Sequence, residues 1–246
     1  MENYIFGIHP LHEAIEKGEI PEKILIQKGL QGEAFQQLFL IIREKNIPFQ
    51  IVPLEKLNSI TRKNHQGVIA YLSVIPHYKL SEVLPDIYDK GELPLLVIAD
   101  GITDVRNLGA IVRSAECLGA HALILSQKGS APINADSIKT SSGAMLRLPV
   151  CREANLMETL AFLKECGVKI VAASEKSGIQ INNADLTGPI AILVGSEQKG
   201  IQRSLLNMSD IAIRIPMSGK VASLNVSVAA GIILYETSRQ RLSTNK

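Results

Sequence analysis

Ile215-Pro-Met-Ser-Gly-Lys-Val-Ala-Ser-Leu-Asn-Val-Ser-Val-Ala-Ala-Gly-Ile-Ile-Leu-Tyr-Glu236 is the stretch whose reading decides the fold. It leaves an apolar strand, Ile211-Ala-Ile-Arg-Ile215, and turns through Pro216, Ser218 and Gly219. It closes in a run of helical character from Leu224 to Tyr235. In α/β proteins, loops that leave a strand and enter a helix are where ligands sit. Ser223, Ser227, Ala229, Ala230 and Gly231 are small enough to let another backbone come very close, which a lone surface helix does not need.

Upstream, Leu95-Leu-Val-Ile-Ala99, Ala122-Leu-Ile-Leu125, Lys169-Ile-Val-Ala-Ala173 and Ile190-Ala-Ile-Leu-Val194 are near-continuous apolar runs. Such runs fit a parallel sheet covered on both faces. Helical segments lie between them, at Leu108–Leu118, Leu156–Cys166 and Leu224–Ser238. The sequence therefore predicts a doubly wound α/β domain over residues 95–246. Residues 1–75 form a smaller α/β module. Lys23–Ile26, Pro48–Val52 and Gly67–Val74 read as strands, and Glu33–Lys45 carries a helical stripe of Phe35, Leu38, Phe39, Ile41 and Ile42. Residues 76–94, with three prolines, a glycine and several charges, read as the linker, with a short helix over Leu80–Tyr88.

The chain has 246 residues and is 46% hydrophobic, enough for a sizeable core. No apolar run approaches the roughly 18–20 residues of a membrane span, and Met1-Glu-Asn-Tyr lacks the features of a signal peptide. Cys117, Cys151 and Cys166 are odd in number and form no CxxC pair, so reduced cytoplasmic thiols are expected. With a net charge of +2, composition does not announce a nucleic-acid binder, and residues 1–75 balance 8 basic against 8 acidic side chains. Any RNA surface must come from local clusters such as Thr61-Arg-Lys-Asn-His-Gln66, which charge alone reads as a solvated loop. His9 and His12 lack neighbouring ligands, so no metal is expected. No Gly-x-Gly and no GxxxxGK[ST] occurs, which removes the dinucleotide and P-loop devices and, with them, a nucleotide-dependent dehydrogenase.

Two further motifs precede the first. Asp104-Val-Arg-Asn-Leu-Gly-Ala-Ile-Val-Arg113 carries an Asn-x-Gly-x-x-x-Arg core, and Leu193-Val-Gly-Ser-Glu-Gln-Lys-Gly200 carries Gly-x-Glu-x-x-Gly. Read singly, Asn107 is a helix N-cap, Arg113 an exposed helical charge and Glu197 a helix-start acid. In this order, however, the three motifs resemble those of the SpoU/TrmH family of RNA ribose 2′-O-methyltransferases. The resemblance implies a SPOUT domain whose C-terminal trefoil knot forms the S-adenosylmethionine pocket, although unknotted chains are the default.

The same resemblance implies a site. Asn107, Arg113, Glu197, Ser223 and Asn225 match the catalytic centre, and Gly195, Ile215, Met217 and Leu224 match the cofactor pocket. Gly195 would let backbone approach the ligand closely. Ser223 and Asn225 could equally cap the last helix. Arg113 stays protonated at neutral pH, so it could orient the 2′-hydroxyl by its planar fork or stabilise alkoxide charge, and its part in proton transfer is open. Two positions depart from the family: Val105-Arg106 stands where a Pro-x pair is common, and Gln198 replaces a frequent Gly.

Gly7-Ile-His-Pro-Leu-His-Glu-Ala14 and His65-Gln-Gly-Val-Ile-Ala70 are similar to the auxiliary domain of the bacterial branch that methylates a guanosine ribose in 23S rRNA. That domain resembles ribosomal protein eL30. The resemblance implies a homodimer acting on 23S rRNA or an assembling large ribosomal subunit, with Arg62, Lys63, Asn64 and His65 as candidate RNA contacts. The reaction would be displacement at the cofactor's methyl carbon by the ribose 2′-oxygen, helped mainly by alignment. A tRNA or another rRNA site, and a non-catalytic ribosome-associated RNA-binding protein, are the alternatives.

Overall fold

The computed structural model describes residues 4–76, 78–221 and 223–244; Ala222 of the last motif and His77 of the expected linker lie outside them. The chain divides into two compact units. One runs to Ile75 and takes in Ile133–Ala135, and the other holds Pro76–Pro132 and Asp136–Lys246.

The first unit is β1 (Tyr4–Phe6), α1 (Ile8–Glu16), β2 (Lys23–Gln27), α2 (Glu33–Glu44), β3 (Phe49–Val52), α3 (Leu54–Ile60) and β4 (Val68–Tyr71). Its sheet runs β1-β4-β2-β3, with β2 and β3 parallel and β4 antiparallel to both β1 and β2. Alternation along the strands splits the core in two. Ile24, Ile26, Val68 and Ala70 pack with Leu11 and Ile15 of α1 and Leu38 and Ile42 of α2. On the opposite face Leu25, Val52 and Ile69 pack with Leu57 of α3.

The second unit carries α4 (Leu80–Asp89), β5 (Leu95–Asp100), α5 (Val105–Cys117), β6 (Ala122–Ser126), α6 (Ala135–Thr140), β7 (Val150–Glu153), α7 (Leu156–Glu165), β8 (Lys169–Ala173), β9 (Ile190–Gly195), α8 (Arg203–Met208), β10 (Ile211–Ile213) and α9 (Val226–Thr244). Its six-stranded sheet is parallel throughout, in the order β10-β8-β9-β5-β6-β7. Every residue of β5 is buried, as expected of a strand covered on both faces.

The segment read as a linker, 76–94, packs with the second unit. Leu80, Val83, Leu84 and Ile87 of α4 join the core built on Leu96, Ile98, Leu160 and Leu193, so this segment belongs to the second unit. Four apolar residues on one helical face outweigh the prolines around them.

The small residues of α9 also find an owner. A Cβ on Gly231 would stand 3.5 Å from Ser114 Oγ, so α9 approaches α5 closely at that point. Farther along, the Arg241 guanidinium donates to the carbonyls of Leu93 (2.9 Å), Pro94 (2.8 Å) and Gly188 (2.7 Å). These bonds tie the end of α9 to the segments that lead into β5 and β9, and burial pulls the Arg241 pKa down.

Candidate active site

β5 and β9 are neighbours, with Asp100 in register with Gly195, so the loops after both strands open at the same edge of the sheet. The loop after β5 starts α5. Asp104 caps that helix, its Oδ1 accepting the N–H groups of Arg106 (2.7 Å) and Asn107 (3.1 Å). Those two bonds, the one from Asn107 first, hold the Asp104 carboxyl below the usual carboxylate range. Asn107 is therefore not the cap, as the sequence had suggested. Three residues into the turn, its side chain is free to reach across.

It reaches Glu197. Asn107 Nδ2 donates to Glu197 Oε1 at 2.9 Å, and Asn225 Nδ2 donates to the same oxygen at 2.5 Å. Asn225 Nδ2 also donates to Asn107 Oδ1 at 3.0 Å, closing a triangle. The other end of Asn225 is fixed too, because its Oδ1 accepts from Ser227 N (2.9 Å) and Ser227 Oγ (2.6 Å) and so caps α9. Asn225 is thus both a cap and a member of the cluster.

The turn that carries Glu197 is held from below. Gly200 N donates to Ser196 O at 2.7 Å, and Gly200 has φ +65. The turn folds back on Gly195 so tightly that a Cβ there would overlap the backbone of Gly200 and Ile201. Gly195 is a glycine because its own chain crosses it. Asp100, 2% exposed, closes the arrangement by accepting from Gln202 N (2.8 Å) and Gln202 Nε2 (2.7 Å).

Two cavities flank this turn. One, of about 740 Å³, is polar and lined by Thr103, Asp104, Asn107, Glu197, Lys199 and Gln202 among others. The second, of about 420 Å³, includes Val194, Gly195, Glu197, Leu224 and Asn225. It shares Ala173, Glu175, Ser223, Leu224 and Ala229 with a narrower cleft of about 90 Å³ walled by Ile213, Ile215, Met217 and Ile233. Gly195, Ile215, Met217 and Leu224 therefore come together along one continuous groove, and Ser223 lines that groove rather than joining the triangle. The groove fits S-adenosylmethionine chemically. Its apolar walls suit an adenine, and the carboxylates of Glu175 and Glu197 suit hydroxyl groups and a positive charge.

Other expectations land elsewhere. Arg113 is exposed on α5 and lines neither the polar cavity nor the groove of its own chain. Arg62, Lys63 and Asn64 are exposed, but His65 is buried. His65 Nδ1 accepts from Gly67 N at 3.0 Å and Nε2 lies 3.0 Å from Asn58 Oδ1, so the ring is a structural pin and not an RNA contact. The last helix starts at Val226, two residues later than read, and β10 ends at Ile213. No group of three or more metal-ligating side chains occurs among the described residues.

Sequence reasoning passed over Asp100, Asp104, Glu175 and Gln202. An Asp just before a helical pattern is a standard cap signal, which would have identified Asp104. Nothing local distinguishes Asp100, whose partner lies 102 residues away.

A parallel sheet with a polar cluster and a groove at its carboxyl edge marks an α/β enzyme that binds its ligands there. The SpoU rRNA methylase family matches residues 94–235, and the RNA 2′-O ribose methyltransferase substrate-binding family matches residues 4–75. The chain belongs to the SpoU rRNA methylases and is an RNA 2′-O-methyltransferase. It is 39% identical over 251 residues to the 23S rRNA (guanosine-2′-O-)-methyltransferase RlmB of Vibrio vulnificus, covering 98% of each. It is 33% identical over 240 residues to YacO of Bacillus subtilis, a TrmH family tRNA/rRNA methyltransferase by name, covering 97% of this chain and 96% of that one. Among solved structures it is similar to the SpoU methyltransferase AviRb from Streptomyces viridochromogenes in complex with AdoMet. There the TM-score is 0.62 at 26% identity, over 98% of this chain and 90% of the other.

Proposed function

We propose that this chain transfers a methyl group from S-adenosylmethionine to the ribose 2′-oxygen of a guanosine in 23S rRNA. The carrying observation is the triangle of Asn107, Glu197 and Asn225 where the polar cavity meets the groove. The RlmB relative, matched from end to end, supports the guanosine of 23S rRNA over a tRNA target.

S-adenosylmethionine supplies, when bound, a methyl group on a positively charged sulfur. Ile215, Met217 and Leu224 would hold its adenine, and Gly195 would shape the turn beside it. The Glu197 carboxylate, oriented by the two amides, sets the electrostatics where the ribose must sit. Arg113 would serve the site of a second subunit, orienting the 2′-hydroxyl and a flanking phosphate by its fork. α9 supports such a homodimer. Val228, Ile232, Tyr235 and Leu242 follow one another at helical spacing on one side, and Tyr235 and Leu242 are 61% and 68% exposed. The trefoil knot, the eL30-like character of the first unit, an assembling subunit as substrate and a cytoplasmic location complete the proposal.

The test uses unmodified 23S rRNA with full-length protein and with protein lacking residues 1–75. Full-length enzyme should methylate a guanosine ribose, and the truncated protein should bind S-adenosylmethionine yet methylate rRNA poorly. Methylation of tRNA in preference to rRNA would overturn the substrate assignment.

A further inference from the structure

We infer that the face of the first unit's sheet bearing Tyr4, Phe6 and Tyr71 is a stacking platform for unpaired RNA bases; this rests on the RNA methyltransferase reading above. Strand alternation brings the three rings to one face. Tyr4 lies opposite Tyr71 and Phe6 opposite Ile69 in the antiparallel register. Ring centroids are 6.4 Å apart for Tyr4 and Phe6 and 6.2 Å for Tyr4 and Tyr71. The same face is closed elsewhere, where α3 buries Leu25, Val52 and Ile69 under Leu57. The rings pack against the edge of that cluster and stay partly exposed.

The charges beside the rings select the partner. Lys63 Nζ lies 5.9 Å from the centre of the Phe6 ring. Arg62 is exposed next to it, and exposed Lys23 is in register with Tyr71. Aromatic rings flanked by cations are what a single strand requires, because bases stack on the rings while phosphates meet the cations. A duplex keeps its bases stacked on one another and offers such a surface little. The platform also explains how a unit with no net charge can hold RNA: stacking, not a broad basic field, supplies the affinity.

The test uses full-length protein and a fluorescein-labelled 12-nucleotide single-stranded RNA, with a duplex of the same length alongside. Tyr4→Leu and Tyr71→Leu keep apolar bulk and remove the ring, and each should weaken single-strand binding about 5- to 50-fold. Tyr4→Phe and Tyr71→Phe keep the ring and should bind within about twofold of the parent. Because the chain has no Trp, Tyr71→Trp gives a reporter whose fluorescence should fall on adding single strand and much less on adding duplex. Single-strand affinity unchanged in both Leu variants would overturn the platform, as would equal quenching by duplex. Methyl transfer to rRNA is measured in the same preparations. Parent enzyme that binds RNA but transfers no methyl group contradicts the enzymatic reading, whereas active parent with fully active Leu variants contradicts the platform alone.

Discussion

Asn225 and Asn107, 118 residues apart in the chain, meet at 3.0 Å, and both donate to the same oxygen of Glu197. One carboxylate oxygen thus organises two amides that come from two different helix starts. The chemistry proposed for the site depends on that junction.

Glu197→Gln should therefore be costly despite its small change in shape. A Gln can still turn its Oε1 toward the amides of Asn107 and Asn225, so what the substitution removes is the charge that strengthens both bonds. Bonds to an ionised acceptor are worth about 1.5–3 kcal/mol each, so kcat/KM should fall on the order of 10- to 100-fold or more. Steady-state methyl transfer checks this, and near-parental turnover would remove Glu197 from the centre.

Arg113 lines no part of its own chain's site, so its role in catalysis can be tested by mixing. Arg113→Ala and Glu197→Ala should each be inactive as pure proteins. In a closed two-fold dimer a mixed pair contains one intact composite site. An equal mixture, after subunit exchange, should recover about a quarter of parental activity. No recovery in verified mixed dimers would place Arg113 outside the partner's site.

Asp100 acts at one remove, by holding Gln202 and with it the turn that carries Glu197. Asp100→Asn can keep both bonds if the Gln202 amide turns over, because Oδ1 still accepts from Gln202 N and Nδ2 donates to Gln202 Oε1. Asp100→Ala cannot. Trypsin should cut after Lys199 faster in Asp100→Ala than in the parent, with lowered kcat, and Asp100→Asn should behave as the parent in both assays. A slow, parent-like digestion of Asp100→Ala would show that the turn holds itself.

Cys151, on β7, is fully buried, and burial pushes its thiol up to about 12. Because thiolate is the reactive form, iodoacetamide at pH 8 should label exposed Cys117 and leave Cys151 untouched in native protein. Cys151 should react only once the protein is unfolded. Peptide mass spectrometry reads the outcome, and rapid native labelling of Cys151 would contradict the burial.

The parallel sheet was legible because each of its long strands, such as Leu95–Ala99 and Ile190–Val194, is an unbroken apolar run with no other comfortable home. β7 was missed because Val150–Glu153 ends in two charged residues, Arg152 and Glu153, at the edge of the sheet, where only one side needs covering. α4 is legible as a short helix but not as part of the core, because Pro85 within it and Pro76 and Pro94 around it mask its buried stripe. At the site, motif order brought Asn107, Glu197 and Asn225 to notice, but not their bonds. What escaped was pairwise and distant: Asp100 with Gln202, Gly195 under its own chain, and His65 pinned by Asn58 and Gly67. A histidine in a basic loop looks the same in sequence whether it faces solvent or the core.

The central claim is tested most directly by incubating the full-length protein with methyl-labelled S-adenosylmethionine and unmodified 23S rRNA, then digesting the RNA to nucleosides. The label should appear in 2′-O-methylguanosine, near one per rRNA molecule, and be lost in Glu197→Ala. Label on a base, label on the ribose of another nucleoside, or transfer undiminished in Glu197→Ala would contradict it.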